Sequence, residues 1–335
     1  MLRRLSCTHG LGARLRQSRV CMCTTGSRRS LSLEEVERYH RDGYVVPSAV
    51  MLQNDEMLLA SQALDHLLES NPDVLPEQLV NAHLEDGDSQ GMGVRGSRVF
   101  RDLASHRNIV DAVSQVLDTD DVILWGCQVF CKPPGVGKAV PWHQDGQCAR
   151  TLIPRHMSGR LLTAPPVHPT SFLPSECVPP EWCLPPDWPI EPLRACTVWM
   201  ALDVSVLENG ALRVIPGTQH ELLDHEVRSD EEAAISVVIP DKTLGAERLS
   251  RAQTLTLARG EMSIHDAMLV HGSGVNRSTS RRAGVAMHYM PASCHFRRDV
   301  RTFADREGGL TLDFSTRPLL QVKGRNRHPG NTLFL

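Results

Sequence analysis

No run of about 18 apolar residues occurs anywhere in the 335-residue chain, so a membrane-spanning helix is not expected. Positive charge is not in excess either. Lys and Arg number 36 against 39 Asp and Glu, a formal net charge of -3, which argues against nucleic acid as a partner. Cysteine is present at ten positions (7, 21, 23, 127, 131, 148, 177, 183, 196 and 294) but lacks the regular spacing of a disulfide framework. Cys21-x-Cys23 and Cys127-x3-Cys131 have no second pair at zinc-finger spacing, so the thiols read as free in a reducing compartment. The last absence is local. No acidic residue precedes Glu34, while seven Arg (3, 4, 14, 16, 19, 28 and 29) are interspersed with Ser, Thr and Gly. That is the composition of an organellar transit peptide. Residues 1–29 are expected to direct import into the mitochondrion; a basic tail on a cytoplasmic protein is the alternative.

What is there indicates a globular chain of one large domain, with 41% hydrophobic and 22% charged residues. Ser32 is an N-cap candidate before Leu33, Val36 and Tyr39 at helical spacing, and Asp42-Gly43 ends that helix before the strand Tyr44-Val45-Val46. Residues 54–71 predict a second helix, 73–100 a peripheral loop and 101–117 a further amphipathic helix. The β-branched and aromatic run from Val122 to Lys132 predicts a buried strand, with Gln128 inside it as an amide that needs partners. Residues 149–187 are crowded with proline and read as an insert, either a substrate lid or an excursion without regular structure. Beyond it, Cys196–Val204 and Ala211–Ile215 predict strands joined by a hairpin turn at Glu208-Asn209-Gly210. Residues 220–259 read as a polar excursion with strand candidates at 235–239 and 254–257, before strands at 260–265 and 283–290. Short strands with Gly and Pro punctuation after a helical start indicate an all-β sandwich or jelly roll decorated by helices.

Chemistry concentrates in Pro141-Trp142-His143-Gln144-Asp145-Gly146. Residues i and i+2 of a strand share a face, which would bring an imidazole and a carboxylate together. Together they are half of a metal site, and a distant His would complete the 2-His-1-carboxylate set that binds non-haem Fe(II). His265, His271 and His288 are all available downstream.

Several ordered motifs carry a family resemblance. They are Asp42-Gly43-Tyr44, Lys132-Pro133-Pro134-Gly135, His143-Gln144-Asp145, Thr197–Asp203, Asn209–Thr218 and His271–Ser278. Through them the chain, from about Leu33 to Pro291, resembles the phytanoyl-CoA dioxygenase family of Fe(II)- and 2-oxoglutarate-dependent oxygenases. The resemblance implies a mostly β fold with flanking helices, a double-stranded β-helix (jelly roll, cupin-like), with residues 30–300 as the dioxygenase domain and 301–335 as a C-terminal tail. It implies His143, Asp145 and His271 as iron ligands, leaving His265 and His288 structural. For 2-oxoglutarate it implies Arg282 as the cation at the distal carboxylate, Ser273 as its hydrogen-bonding partner, and Gln128 and Trp199 as lining residues. Arg281, on the opposite face of the same strand, would be solvent-facing. The implied reaction consumes O₂ and 2-oxoglutarate, releases succinate and CO₂, and hydroxylates a C–H bond of a small molecule: an acyl-CoA, an amino-acid-like compound or a secondary metabolite. Asp145, where halogenating relatives carry Gly or Ala, argues against halogenation. The last residues, Thr332-Leu333-Phe334-Leu335, are not a peroxisomal tripeptide. A non-catalytic jelly-roll protein that retains the metal and ligand site is the second expectation.

Overall fold

The computed structural model describes residues 30–49, 51–85, 93–146, 188–228, 233–299, 302–304 and 311–334. The expected transit segment 1–29 and the insert 149–187 lie outside these residues. The first helix, Leu33–Asp42, starts where the Ser32 hydroxyl accepts from Glu35 N and the Glu35 carboxylate accepts from Ser32 N, a reciprocal capping box. It stops at Gly43, whose φ of 80° lies in the left-handed region and whose N–H donates to Tyr39 O. Leu33, counted on its apolar side, is 65% exposed; the neighbouring Leu31 is buried in its place.

The next helix, Asn54–Ser70, buries Met57, Ala60, Ala63, Leu64 and Leu67. The single helix expected over 101–117 is two, Arg98–Ala104 and Arg107–Val116. The first begins early because the Ser97 hydroxyl accepts from Val99 N, and the chain breaks at His106, which holds extended backbone angles. Nor are the described residues of 73–100 a peripheral loop. Leu79, Val80, Ala82 and Leu84 are buried, and Leu79–Val80 pairs with Val129 and Gln128.

These helices cover one face of a large antiparallel sheet. Its strand order is Tyr44–Val45, Met262–Asp266, Cys196–Ala201, Arg282–Pro291, Val122–Lys132 and Leu320–Lys323, with Leu79–Val80 also on Val122–Lys132. A smaller sheet runs Gln253–Thr254, Leu212–Val214, His271–Ser273 and Val140–His143. Alternation assigns the faces of the large sheet. Cys127, Val129, Val198, Met200, Val285 and Met287 join the cluster that includes the helix residues Leu64 and Val113. Trp199, Ala286 and Phe130 pack instead with Leu212, Val214 and Leu269 of the smaller-sheet side. Both faces are covered, so Val122–Lys132 reads as a nearly continuous apolar run.

Three further expectations are corrected. Cys196–Ala201 and Leu212–Val214 are not a hairpin, because they belong to different sheets; the segment through Gly210, at φ 82°, carries the chain from one to the other. The polar excursion contains a helix, Asp241–Ser250, interrupted at Gly245, and its strand candidates shrink to Val237–Val238 and Gln253–Thr254. The expected C-terminal tail extends the large sheet, since Leu320–Lys323 pairs with Val122–Leu124 while Phe314 and Leu319 are buried. No helix among the described residues is long and apolar enough to cross a membrane.

Candidate metal centre

His143 is the last residue of Val140–His143 and His271 the first of His271–Ser273, and the two stand directly opposite one another in the antiparallel pairing. Directly opposed positions bring side chains into contact, and the ring centroids lie 4.2 Å apart. Asp145 falls beyond the strand, in the following turn, so the expected face-sharing of His143 and Asp145 within one strand is not what unites them. The turn closes through Gly146 N, which donates to Ala267 O at 2.8 Å. A Cβ on Gly146 would meet Leu193 and Met268 at under 3 Å, so the turn fits only glycine without rearrangement.

Each histidine commits its Nδ1 to a backbone carbonyl two residues earlier, His143 to Pro141 O at 2.8 Å and His271 to Leu269 O at 2.9 Å. That bond fixes the ring and leaves Nε2 with a free lone pair. The two Nε2 atoms lie 3.4 and 3.6 Å from the same Asp145 oxygen, Oδ1. All three ligand atoms fall within 4.8 Å of one another. Burial pushes His271 down to about 4, with the His143 imidazole adding to the effect. Burial alone would raise Asp145, but the His271 and His143 imidazoles hold it well below the usual carboxylate range. A neutral imidazole and an ionised carboxylate are the protonation states that ligate a divalent cation. Two imidazole nitrogens and one carboxylate oxygen converging from one side therefore fit a transition-metal ion and leave its other face open.

The free Asp145 oxygen, Oδ2, accepts from Thr197 Oγ1 at 3.2 Å, and Thr197 Oγ1 lies 2.9 Å from His288 Nδ1. His288 stacks on Trp125 at 5.1 Å. His265 is buried with its ring 4.8 Å from that of His271. Neither His265 nor His288 belongs to the metal-competent group among the described residues.

Along the same cavity lie Gln128, Trp199, Ser273 and Arg282. Arg282 is buried, sits 5.2 Å from the Trp199 ring centroid and donates through Nη2 to Gly210 O. Arg281 points to the other face but is not simply solvent-facing, because it pairs with Asp203 at 2.9 Å and Asp65 at 2.8 Å. Trp199 occupies the space a side chain at Gly284 would need, the Cβ position lying 2.1 Å from Trp199 Cζ2. Gly284→Ala is thus expected to displace the indole and cost about 1–3 kcal/mol, measured by urea unfolding followed by tryptophan fluorescence. An unchanged unfolding midpoint and spectrum would show that the indole is not confined there.

Several contributors carry no assigned role in the sequence reading. Gln144 donates to Glu221 O and Met268 O, accepts from Leu223 N, and its backbone N–H donates to His225 Nε2, so it ties together the segments around the metal ligands. Lys132 is buried and bonds Ser273. Its inward direction was readable from strand alternation with Gln128 and Phe130, whereas the partners of Gln144 lie about 80 and 120 residues away in sequence.

With this geometry in place, the family comparison is decisive. The model of the phytanoyl-CoA dioxygenase (PhyH) family matches residues 39–167 and 182–284. The chain belongs to that family. Among PhyH relatives, the bovine (Bos taurus) protein named "Phytanoyl-CoA dioxygenase, peroxisomal" is 28% identical over 101 residues, 29% of each chain. The Caenorhabditis elegans "Probable phytanoyl-CoA dioxygenase" is 26% identical over 194 residues, 53% of this chain and 54% of that one. The matched stretch thus spans under a third of the bovine relative and about half of the nematode one. The fold is shared with the non-heme monooxygenase ThoJ (TM-score 0.54, 19% identity, 89% of this chain and 86% of that one). It is shared equally with EctD from S. alaskensis with 2-oxoglutarate and 5-hydroxyectoine (TM-score 0.54, 20% identity, 81% and 79%). The expectation of a mitochondrial address is corrected: the bovine and human relatives carry "peroxisomal" in their names, and composition alone, in residues outside those described, does not outweigh that.

Proposed function

We propose that this PhyH-family chain is an Fe(II)- and 2-oxoglutarate-dependent dioxygenase, built on a double-stranded β-helix, that hydroxylates a C–H bond of a small molecule. The observation that carries the reading is the convergence of His143 Nε2, His271 Nε2 and Asp145 Oδ1 on one point. Bound Fe(II) would supply O₂ activation coupled to oxidative decarboxylation of 2-oxoglutarate to succinate and CO₂. The protein's part is to bind, orient and exclude water. Arg282 and Ser273 take the distal carboxylate of 2-oxoglutarate, a role that suits a buried guanidinium. Trp199 packs on Arg282 and holds it against the cavity, and Gln128 lines the same side. Trp125, Trp188 and Phe314, at the other end of the cavity, offer an apolar surface to the substrate. An acyl-CoA, an amino-acid-like compound or a secondary metabolite remains the substrate class.

The test is succinate formation from 2-oxoglutarate by protein loaded with Fe(II) without oxygen and then exposed to O₂, beside His143→Ala. Turnover that disappears in the variant supports the enzyme. Absence of turnover together with absence of iron and 2-oxoglutarate binding would favour a non-catalytic jelly-roll protein instead.

A further inference from the structure

Two buried cations face each other at one end of the cavity. Lys132 and Arg282 are directly opposed on neighbouring antiparallel strands, and they are 1% and 3% exposed. Alternation points both inward, and both line the cavity that holds the metal ligands. They meet across Gly210: its carbonyl accepts from Arg282 Nη2, and a Cβ built on it would lie 3.3 Å from Lys132 Nζ. Lys132 Nζ donates to Ser273 Oγ at 2.7 Å and to Gly274 O. Arg282 Nε is buried without a hydrogen-bond partner.

Like charges directly opposite on adjacent strands destabilise a sheet, and a buried charge without a counter-charge is costly. Glu77 acts on both cations and Asp203 on Arg282, but among the described residues neither carboxylate is hydrogen-bonded to Lys132 or Arg282. Glu77, the acid that acts on Lys132, spends Oε1 on the backbone N–H of Lys138 at 3.0 Å. Asp203 is taken up by Arg281 on the other face of the strand. Burial and the neighbouring Arg282 push Lys132 down to about 6 and burial pushes Arg282 down to about 10, the acids nearby offsetting only part of this, as expected for cations with no directly paired anion. The position also fits an anionic end of a metal-chelating ligand. Ser273 follows His271 by two residues on one strand and so shares its face at roughly 6.6 Å along the chain. That is the order of separation between the chelating end and the far carboxylate of a five-carbon 2-oxo diacid.

We infer that Lys132 is a second cation at the co-substrate's distal carboxylate, acting with Arg282 and Ser273 to select a dicarboxylic over a monocarboxylic 2-oxo acid. This rests on the functional reading above. The competing role is structural: an uncharged amine that only braces Ser273 and Gly274.

Calorimetric titration of Fe(II)-loaded protein under anaerobic conditions separates the two, with 2-oxoglutarate and 2-oxopentanoate, which matches its length but lacks the second carboxylate. Wild type should prefer 2-oxoglutarate by about a hundredfold or more. Lys132→Met should cut that ratio by about tenfold or more through weaker 2-oxoglutarate binding alone, and Lys132→Arg should restore most of it. Lys132→Gln keeps an uncharged donor toward Ser273 and is read in the same way if Lys132→Met does not fold. Equal weakening of both ligands, or an unchanged ratio, would overturn the role of Lys132 while leaving the functional reading intact. A wild-type ratio below tenfold would overturn it without any variant. Failure of wild type to bind either 2-oxo acid would instead remove the functional reading and the inference with it.

Discussion

Replacing His271 with alanine is expected to lower succinate formation by about a thousandfold or more and to strip most of the iron from the purified protein. The site has three donors and no spare. Removing one neutral imidazole leaves a single nitrogen and a carboxylate, too few donors to hold a divalent ion firmly. The remaining ring of His143, held through Nδ1 by its bond to Pro141 O, cannot swing to compensate. Asp145→Ala should lose iron as well, with Thr197 then left without its carboxylate acceptor. Iron content per chain and succinate yield are the measurements. A His271→Ala protein that retained both would move the third ligand to His265 or His288, the two other histidines of the cavity.

Acid is expected to unfold the metal-free protein near pH 5. His83, His225 and His288 are buried and, chiefly through that burial, pushed down to about 3, 4 and 4. Their unfolded counterparts titrate near 6.5. Below that pH the unfolded chain binds protons that the folded chain refuses, so stability present above about pH 6.5 is lost as the pH falls toward the folded values. At about pH 5 each of the three costs roughly 2 kcal/mol, about 6 kcal/mol together, on the scale of the whole stability of a typical domain. His265 and His271 are shifted in the same direction and add to the loss. Urea unfolding at pH 7.5, 6 and 5 would measure it. A stability that stayed level across that range would show that these rings are protonated in the folded state.

Much of this architecture was readable before any coordinates. Val122–Lys132 was expected as a buried strand and is one with the same limits, because β-branched and aromatic residues bounded by Pro133-Pro134-Gly135 leave few other readings. The N-cap at Ser32 and the glycine stop at Gly43 are local interactions among residues a few positions apart, and they are legible for that reason. The same period-two logic separates Arg282 from Arg281. Legibility failed where distant pairing overrode local pattern. The turn through Gly210 has the composition of a hairpin, yet Cys196–Ala201 is fully engaged by Met262–Asp266 and Arg282–Pro291, which forces Leu212–Val214 into the other sheet. The C-terminal strand Leu320–Lys323 has its partner, Val122–Leu124, about 200 residues earlier.

The metal site divides along the same line. Residue types and order by themselves determined that an imidazole and a carboxylate stand two positions apart at His143 and Asp145, that candidate histidines follow, and that the motifs around them belong to one family. Which histidine completes the site was decided by tertiary structure. The motif His271–Ser278 marks His271 only through the family resemblance; all three histidines, His265, His271 and His288, lie in strands around one cavity, and residue type and spacing alone do not separate them. Register does: pairing of His271 with His143, across 128 positions of chain, aims both Nε2 atoms at Asp145, while the strands of the large sheet hold His265 beside His271 and His288 against Thr197. A ligand set is a statement about three points in space, and only the pairing of strands distant in sequence brings those points together.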